Sequence, residues 1–141
     1  MVVKEPGTKV TRDRKERVKT GAGRRAVLVV DDDAALVTLL RTILRTADYE
    51  VATAVNGSDA LALAGTQHID VIVLDMRMPV VDGPSFFREL RARGNKTPVL
   101  VTSSFGARDA QREMGAEGAI EKPFDPDELL QAVDDLIANG A

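Results

Sequence analysis

Five short strand-like runs, each followed by a segment of helical period, fill the chain from Ala26 onward and leave few folds open. The runs are AVLVV (26–30), EVATA (50–54), DVIVL (70–74), PVLVT (98–102) and GAIE (118–121). Three are almost wholly apolar, the pattern of parallel strands covered on both faces. Between the first two, Leu36, Leu39, Leu40, Ile43, Leu44 and Ala47 mark one face of a helix. ALALA follows the second run. SFFRELRAR follows the third, with Pro84 suited to its first turn, and ARDAQREMG follows the fourth and ends in Gly115. The last helix opens on Asp125-Pro126-Asp127-Glu128, which supplies an N-cap, a first-turn proline and a capping-box acid. Its buried stripe is Leu129, Leu130, Val133, Leu136 and Ile137, and Gly140 closes it. Such alternation predicts an α/β fold, a doubly wound five-stranded parallel sheet with flanking helices and right-handed crossovers. A closed barrel needs eight units, so the sheet is open.

Composition narrows the setting. A chain of 141 residues can bury a core of its own, and the absence of cysteine excludes disulfides and thiolate metal sites. No apolar run nears the roughly 20 residues of a membrane span, and the N-terminus lacks the apolar stretch of a signal peptide, so a cytoplasmic protein is expected. Charge is unevenly spread. Residues 1–25 carry nine Lys/Arg against three acids, a net of +6, whereas the remainder carries ten bases and nineteen acids, a net of −9. The first 25 residues have few apolar side chains and no sustained period, which predicts a basic, solvated N-terminal extension to a domain spanning 26–141.

Ligands of open parallel sheets bind at the carboxyl ends of the strands. Here the first strand ends in Asp31-Asp32, the third in Asp75, the fourth in Thr102-Ser103-Ser104 and the fifth in Lys122-Pro123. Singly, each has an ordinary explanation: an aspartate after a strand caps a helix, a lysine is solvated, Thr-Ser-Ser is a turn. Together, four strand ends deliver three carboxylates, a hydroxyl and an ammonium to one edge. Clustered carboxylates ionise together only beside a cation, and an all-oxygen donor set selects a hard ion such as Mg²⁺. Such an ion recruits phosphate oxygens, to which Lys122 adds a point charge and Ser103 a hydrogen bond. Asp75 is then placed as the nucleophile that forms an aspartyl phosphate.

The motifs VLVVDDD, VIVLDMRMPVVDG, PVLVTSSFG and EKPF, in this order, resemble the receiver domain of two-component response regulators along residues 26–139. The resemblance implies the flavodoxin-like strand order 2-1-3-4-5 and a stand-alone, chemotaxis-type receiver. By the same resemblance Asp75 is the phosphoacceptor, Asp32 a direct Mg²⁺ ligand and Asp31 a ligand acting largely through water. The backbone carbonyl of Arg77 completes the protein ligands, and Ser103 and Lys122 meet the phosphoryl group. Thr102 is the alternative hydroxyl, with the count of five residues from Pro98 favouring Ser103. The Lys122–Pro123 bond is expected to be cis, and Asp33 to cap the first helix. The implied partners are a sensor histidine kinase or a histidine phosphotransfer protein upstream and an unidentified protein target downstream. Added phosphoryl charge would switch the surface seen by that target.

Three departures from the family pattern stand out. Ala119 occupies the position, three residues before the strand-five lysine, where receivers usually carry Tyr or Phe; Phe105 is either a partial substitute or part of the core. The interval from Ser103 to Lys122 is 19 residues, about one helical turn short of the family's usual spacing. No effector follows Ala141, and 25 residues are too few for a DNA-binding domain, so a stand-alone receiver is expected, with a fragment as the alternative. Two other functions compete: a degenerate receiver used as a protein-binding scaffold, and an aspartyl-phosphate phosphohydrolase. The latter needs a second Asp two residues after the nucleophile, where this chain has Arg77. Of the remaining residues, His68 reads as a surface histidine, Met76 and Met78 as packing beside the acceptor, and Asp82-Gly83 as a turn with glycine at positive φ.

If the basic head is solvated, deleting residues 1–23 leaves the unfolding midpoint unchanged in a thermal melt. A large loss, reversed by salt, would show instead that the head is held on the acidic domain.

Overall fold

The computed structural model describes residues 24–78 and 82–140. The predicted extension therefore lies, but for Arg24 and Arg25, outside the described residues. From Ala26 the chain alternates strand and helix: β1 Ala26–Val30, α1 Ala34–Thr46, β2 Glu50–Ala54, α2 Gly57–Thr66, β3 Val71–Asp75, α3 Gly83–Ala92, β4 Val99–Ser103, α4 Ala107–Met114, β5 Gly118–Glu121 and α5 Pro126–Gly140. All strand pairs are parallel, in the order β2-β1-β3-β4-β5. The order reverses between β1 and β3, so a crevice opens at their carboxyl ends.

Strand periodicity sorts the side chains into two cores. Val27, Val29, Val71 and Val73 face α1 and α5, packing with Val37, Leu40, Leu44, Leu129, Val133 and Ile137. Leu28, Val30, Ile72 and Leu74 face α2 and α3, where Ala60, Ala64, Phe86, Phe87 and Leu90 cover them. Continuous apolar runs thus serve both faces at once. A buried tyrosine, Tyr49, donates its hydroxyl to Asp134 and ties the entry of β2 to α5.

Two strands end one residue beyond their apolar runs. The ladder continues through polar residues, pairing Asp75 with Thr102 and Ser103 with Glu121. Backbone bonds carry it past the strand ends, Met76 N to Thr102 O at 3.0 Å and Lys122 N to Ser103 O at 2.8 Å. The site residues therefore sit on sheet-held backbone.

Helix starts follow their caps. Asp33 accepts the N–H of Leu36 at 3.1 Å and caps α1 as expected, and Asn56 caps α2 through Asp59 at 2.8 Å. Asp125 and Glu128 form the reciprocal capping box at α5, with bonds of 2.9 and 3.2 Å. In contrast, the N-cap of α4 is Gly106, which has φ +75° and no side chain with which to cap. At 8 residues α4 is the shortest helix among the described residues.

Three expectations need correction. Leu39 does not join the buried stripe of α1: it is 54% exposed, because the face toward the sheet centres on Val37, Leu40 and Leu44. Leu130 of α5 is only partly buried. Gly83 is not at positive φ; Asp82 is the N-cap of α3, accepting the Ser85 N–H at 2.9 Å, and Gly83 is the first helical residue. Glycine is required there by proximity. A Cβ would stand 2.9 Å from the Asp75 carbonyl oxygen and 2.9 Å from the Met76 Cα, both on backbone that cannot swing aside.

Gly83→Ala should accordingly destabilise the domain by about 1–3 kcal/mol in a urea melt, because the start of α3 must move off the end of β3. Gly65→Ala, in helix α2 with nothing within 4 Å of its added Cβ, should be neutral or slightly stabilising.

Candidate functional site

β1 and β3 end side by side at the topological switch, and the ladder that pairs Val30 with Leu74 brings the residues that follow each into one crevice. Asp31 and Asp75 are buried, at 2% and 5% exposure, while Asp32 is exposed. Carboxylate oxygens of all three lie within 4.8 Å of one another. From β5, Lys122 extends its ammonium between the two buried acids, donating to Asp31 Oδ2 at 2.9 Å and Asp75 Oδ1 at 3.3 Å. Asp31 is held from its other side, since Oδ1 accepts the N–H of Asp33 at 2.9 Å. The backbone N–H of Arg77 is directed at the Asp75 carboxylate.

Charge does not balance in this group. Burial, the larger influence, and the nearby charge of Asp31 push the Asp75 carboxyl above its ordinary range, while Lys122 and the Arg77 N–H oppose the rise. On Lys122, burial favours the neutral form, but the hydrogen bond to Asp31 and the charges of Asp31 and Asp75 outweigh it and hold the ammonium above the usual lysine range. One ammonium thus faces three carboxylates. Oxygen donors crowded in this way, two of them buried, fit a divalent hard cation by donor chemistry and by charge.

The hydroxyls of β4 differ in their employment. Thr102 donates to the Leu74 carbonyl at 3.4 Å within the sheet. Ser103 lies one residue nearer the loop. Its Oγ donates to the Phe105 carbonyl at 2.8 Å and accepts the Phe105 N–H at 3.2 Å. Phe105 itself is 81% exposed and so does not belong to the core. Ala119 is half-buried on β5. Met78 is buried in the α3-side core, with Met76 partly buried against the same cluster. The Lys122–Pro123 peptide is cis. His68 lies before β3, at the far end from the carboxylates, exposed and 2.9 Å from Asp70.

With this geometry in view, the sequence matches the response regulator receiver domain over residues 27–134. The chain belongs to that family. It is 44% identical over 121 residues to the transcriptional regulatory protein PrrA of Mycobacterium tuberculosis, covering 84% of this chain and 52% of that protein. The chain thus spans about half the length of that curated relative. Among solved structures, the receiver domain of the Francisella response regulator 1452 superposes with a TM-score of 0.77 at 32% identity, covering 84% of this chain and 100% of that one. The receiver domain of the sensor histidine kinase PA1611 from Pseudomonas aeruginosa, with a magnesium ion coordinated in its active site cleft, superposes with a TM-score of 0.72 at 30% identity, covering 82% and 98%.

Three further carboxylates matter to this receiver and were not singled out from the sequence. Asp70 accepts the Ala26 N–H at 2.8 Å, at the start of β1. Both carboxylate oxygens of Glu117 accept from one nitrogen of Arg91, Nη2, at 2.9 Å, and Oε1 also accepts the Val99 N–H at 2.8 Å. Glu121 accepts the Ala107 N–H at 3.0 Å. The only sequence signal for the last is its place beside Lys122.

A raised carboxyl pKa means that folding penalises the ionised form of Asp75. The penalty is fully present above the folded pKa and disappears as pH falls through it toward the unfolded value. Asp75→Asn should therefore raise the thermal midpoint by a few degrees at pH 7 in EDTA, with the gain shrinking steadily as pH is lowered toward the ordinary aspartate range. Equal midpoints at pH 7 would contradict the charge crowding.

Proposed function

We propose that this receiver accepts a phosphoryl group on Asp75 from a histidine kinase or histidine phosphotransfer protein and thereby switches its binding to a downstream protein. The observation that carries the reading is the Lys122 ammonium shared between Asp31 and Asp75, with Asp32 open to solvent beside them. Asp31, Asp32, Asp75 and the carbonyl of Arg77 would hold a Mg²⁺ ion, as the PA1611 receiver holds magnesium in its cleft. When bound, that ion neutralises phosphoryl oxygens and favours the ionised carboxylates.

The chain's own residues perform the rest. Ionised Asp75 needs no separate base: a carboxylate oxygen forms the new P–O bond as the donor's P–N bond breaks, and the departing imidazole nitrogen takes its proton from solvent. Lys122 keeps Asp75 in place before transfer and pairs with the phosphoryl oxygens after it. Ser103 donates its hydroxyl to one of those oxygens. Thr102 is the weaker choice because it lies inside the sheet, in register with Asp75 and turned to the Leu74 carbonyl, whereas Ser103 is the last residue of β4. Hydrolysis of the acyl phosphate returns the carboxylate and inorganic phosphate, so the only chemistry is on the chain itself. An upstream kinase, a downstream target and a cytoplasmic setting belong to the same proposal; among the described residues, no helix is long and apolar enough to cross a membrane.

Acetyl phosphate or phosphoramidate with Mg²⁺ should add one phosphoryl mass, labile to base and hydroxylamine, in intact mass spectrometry. EDTA should prevent it, Asp75→Asn should abolish it, and Asp32→Asn should abolish it together with Mg²⁺ binding measured by calorimetry. Stoichiometric label in Asp75→Asn would move the acceptor elsewhere. No label in the unaltered protein, with Mg²⁺ bound, would favour the scaffold reading.

A further inference from the structure

Between the end of β4 and the start of α4 lie only Ser104, Phe105 and Gly106, and both ends of this connection are pinned by adjacent residues, Glu121 at the end of β5 and Lys122 just after it. Lys122 N donates to the Ser103 carbonyl at 2.8 Å. Glu121 Oε2 accepts the N–H of Ala107, the first residue of α4, at 3.0 Å. Ala107 is fully buried, and Gly106 brings no side chain to satisfy its N–H, so a carboxylate from another strand takes the capping role. Glu121 is exposed and Phe105 is 81% exposed, so neither holds its place through burial in a core.

Inside the pinned loop, the Ser103 hydroxyl closes a turn by donating to the Phe105 carbonyl at 2.8 Å and accepting its N–H at 3.2 Å. A hydroxyl has one proton. If Ser103 is to donate to a phosphoryl oxygen on Asp75, the Phe105 carbonyl must lose its donor. The charged oxygen is the stronger acceptor and wins the exchange. Release of that bond frees Phe105 to move on the Gly106 pivot, whose φ of +75° favours glycine. The anchors decide how readily this happens in the absence of a phosphoryl group.

We propose that Glu121 is a positioning residue for the phosphoryl site: by capping α4 from β5 it holds the Ser104–Gly106 loop in the setting where the Ser103 hydroxyl is spent on Phe105. The inference rests on Ser103 meeting the phosphoryl group, as in the proposed function. Adjacent residues then divide the work. The Lys122 side chain senses the acceptor, and Glu121 sets the resting position of the loop that answers it.

The protein has no tryptophan, so Phe105→Trp in the full chain gives a single reporter at an exposed position. In this parent, acetyl phosphate with Mg²⁺ should shift the Trp emission, with phosphoryl incorporation followed in parallel by intact mass. Adding Glu121→Ala should shift the emission part-way without any phosphodonor and speed amide exchange at Ala107 about fivefold, the loss of one typical cap. Glu121→Gln, which retains an acceptor oxygen, should restore both. Unchanged Ala107 exchange and emission in Glu121→Ala would overturn the proposal. Faster exchange without movement of the Trp signal would also overturn it, leaving Glu121 a helix cap only. If the parent takes no phosphoryl mass, the phosphoacceptor reading fails, while Ala107 exchange and resting emission in the Glu121 variants still decide the anchor.

Discussion

Everything at the carboxyl edge of the sheet depends on one ammonium. Lys122 reaches from the edge strand to the centre of the sheet, 2.9 Å from Asp31 and 3.3 Å from Asp75, and its two partners are almost wholly buried. Without it, two adjacent carboxylates would face each other in a desolvated crevice, a costly arrangement. With it the cost is reduced and not removed, as the raised pKa of Asp75 records. The crevice is therefore built in a state of residual negative excess, and a cation or a proton lowers its free energy. Stability is given up at this edge in exchange for an affinity, which is how a binding site differs from a structural ion pair.

Rigid positioning makes the excess useful. Asp31 and Asp75 are tied to neighbouring strands: Asp31 N donates to Ala54 O at 3.1 Å, and Asp75 is in register with Thr102. Gly83 lets α3 begin against the backbone of Asp75 and Met76. Side chains so held cannot relax apart to relieve their repulsion. The Arg91 fork, braced over the Phe87 ring at 4.5 Å, holds Glu117 and the carbonyls of Asn95 and Thr97 at the opposite end of β4. Both ends of β4 are thus fixed, and the freedom left to it lies in the loop after Ser103.

The fold was legible because the two signals that specify it are local. Apolar runs such as VLVV must be buried on both faces, and residues such as Asp33 or Asp125 cap the helix that starts beside them. The site was legible for a related reason: strand ends converge in any open parallel sheet, so Asp31, Asp32, Asp75 and Lys122 could be grouped before their distances were known. What escaped has its partner far along the chain. Asp70, Glu117 and Glu121 accept backbone N–H groups 44, 18 and 14 residues away, and no local pattern separates such carboxylates from solvated ones. Gly83 escaped because proximity to another backbone leaves the same trace in sequence as positive φ. Leu39 escaped because an apolar residue at the margin of a helical stripe belongs equally to the core and to the groove it lines with Pro123 and Phe124.

The burial gradient across the three aspartates sets the direction of approach. Asp31 and Asp75 are closed in, with Lys122 between them on the β5 side, whereas Asp32 stands open at the mouth. In the proposed reading Asp32, the exposed one of the three, is the first to meet an incoming group. At the carboxyl end of β4, the strand beside β3, stand Ser103 and the exposed Phe105 beyond it. In the proposed reading the strand-borne carboxylates are already in place when the phosphoryl group arrives, and Lys122 and the Ser103 hydroxyl exchange partners. On that reading a change at the acceptor would be expressed first at Phe105, the most exposed large apolar side chain among the described residues. With Ala119 in place of the family's usual aromatic ring, the proposed reading leaves the signal to the backbone of this three-residue loop and to the carboxylate that anchors it to β5.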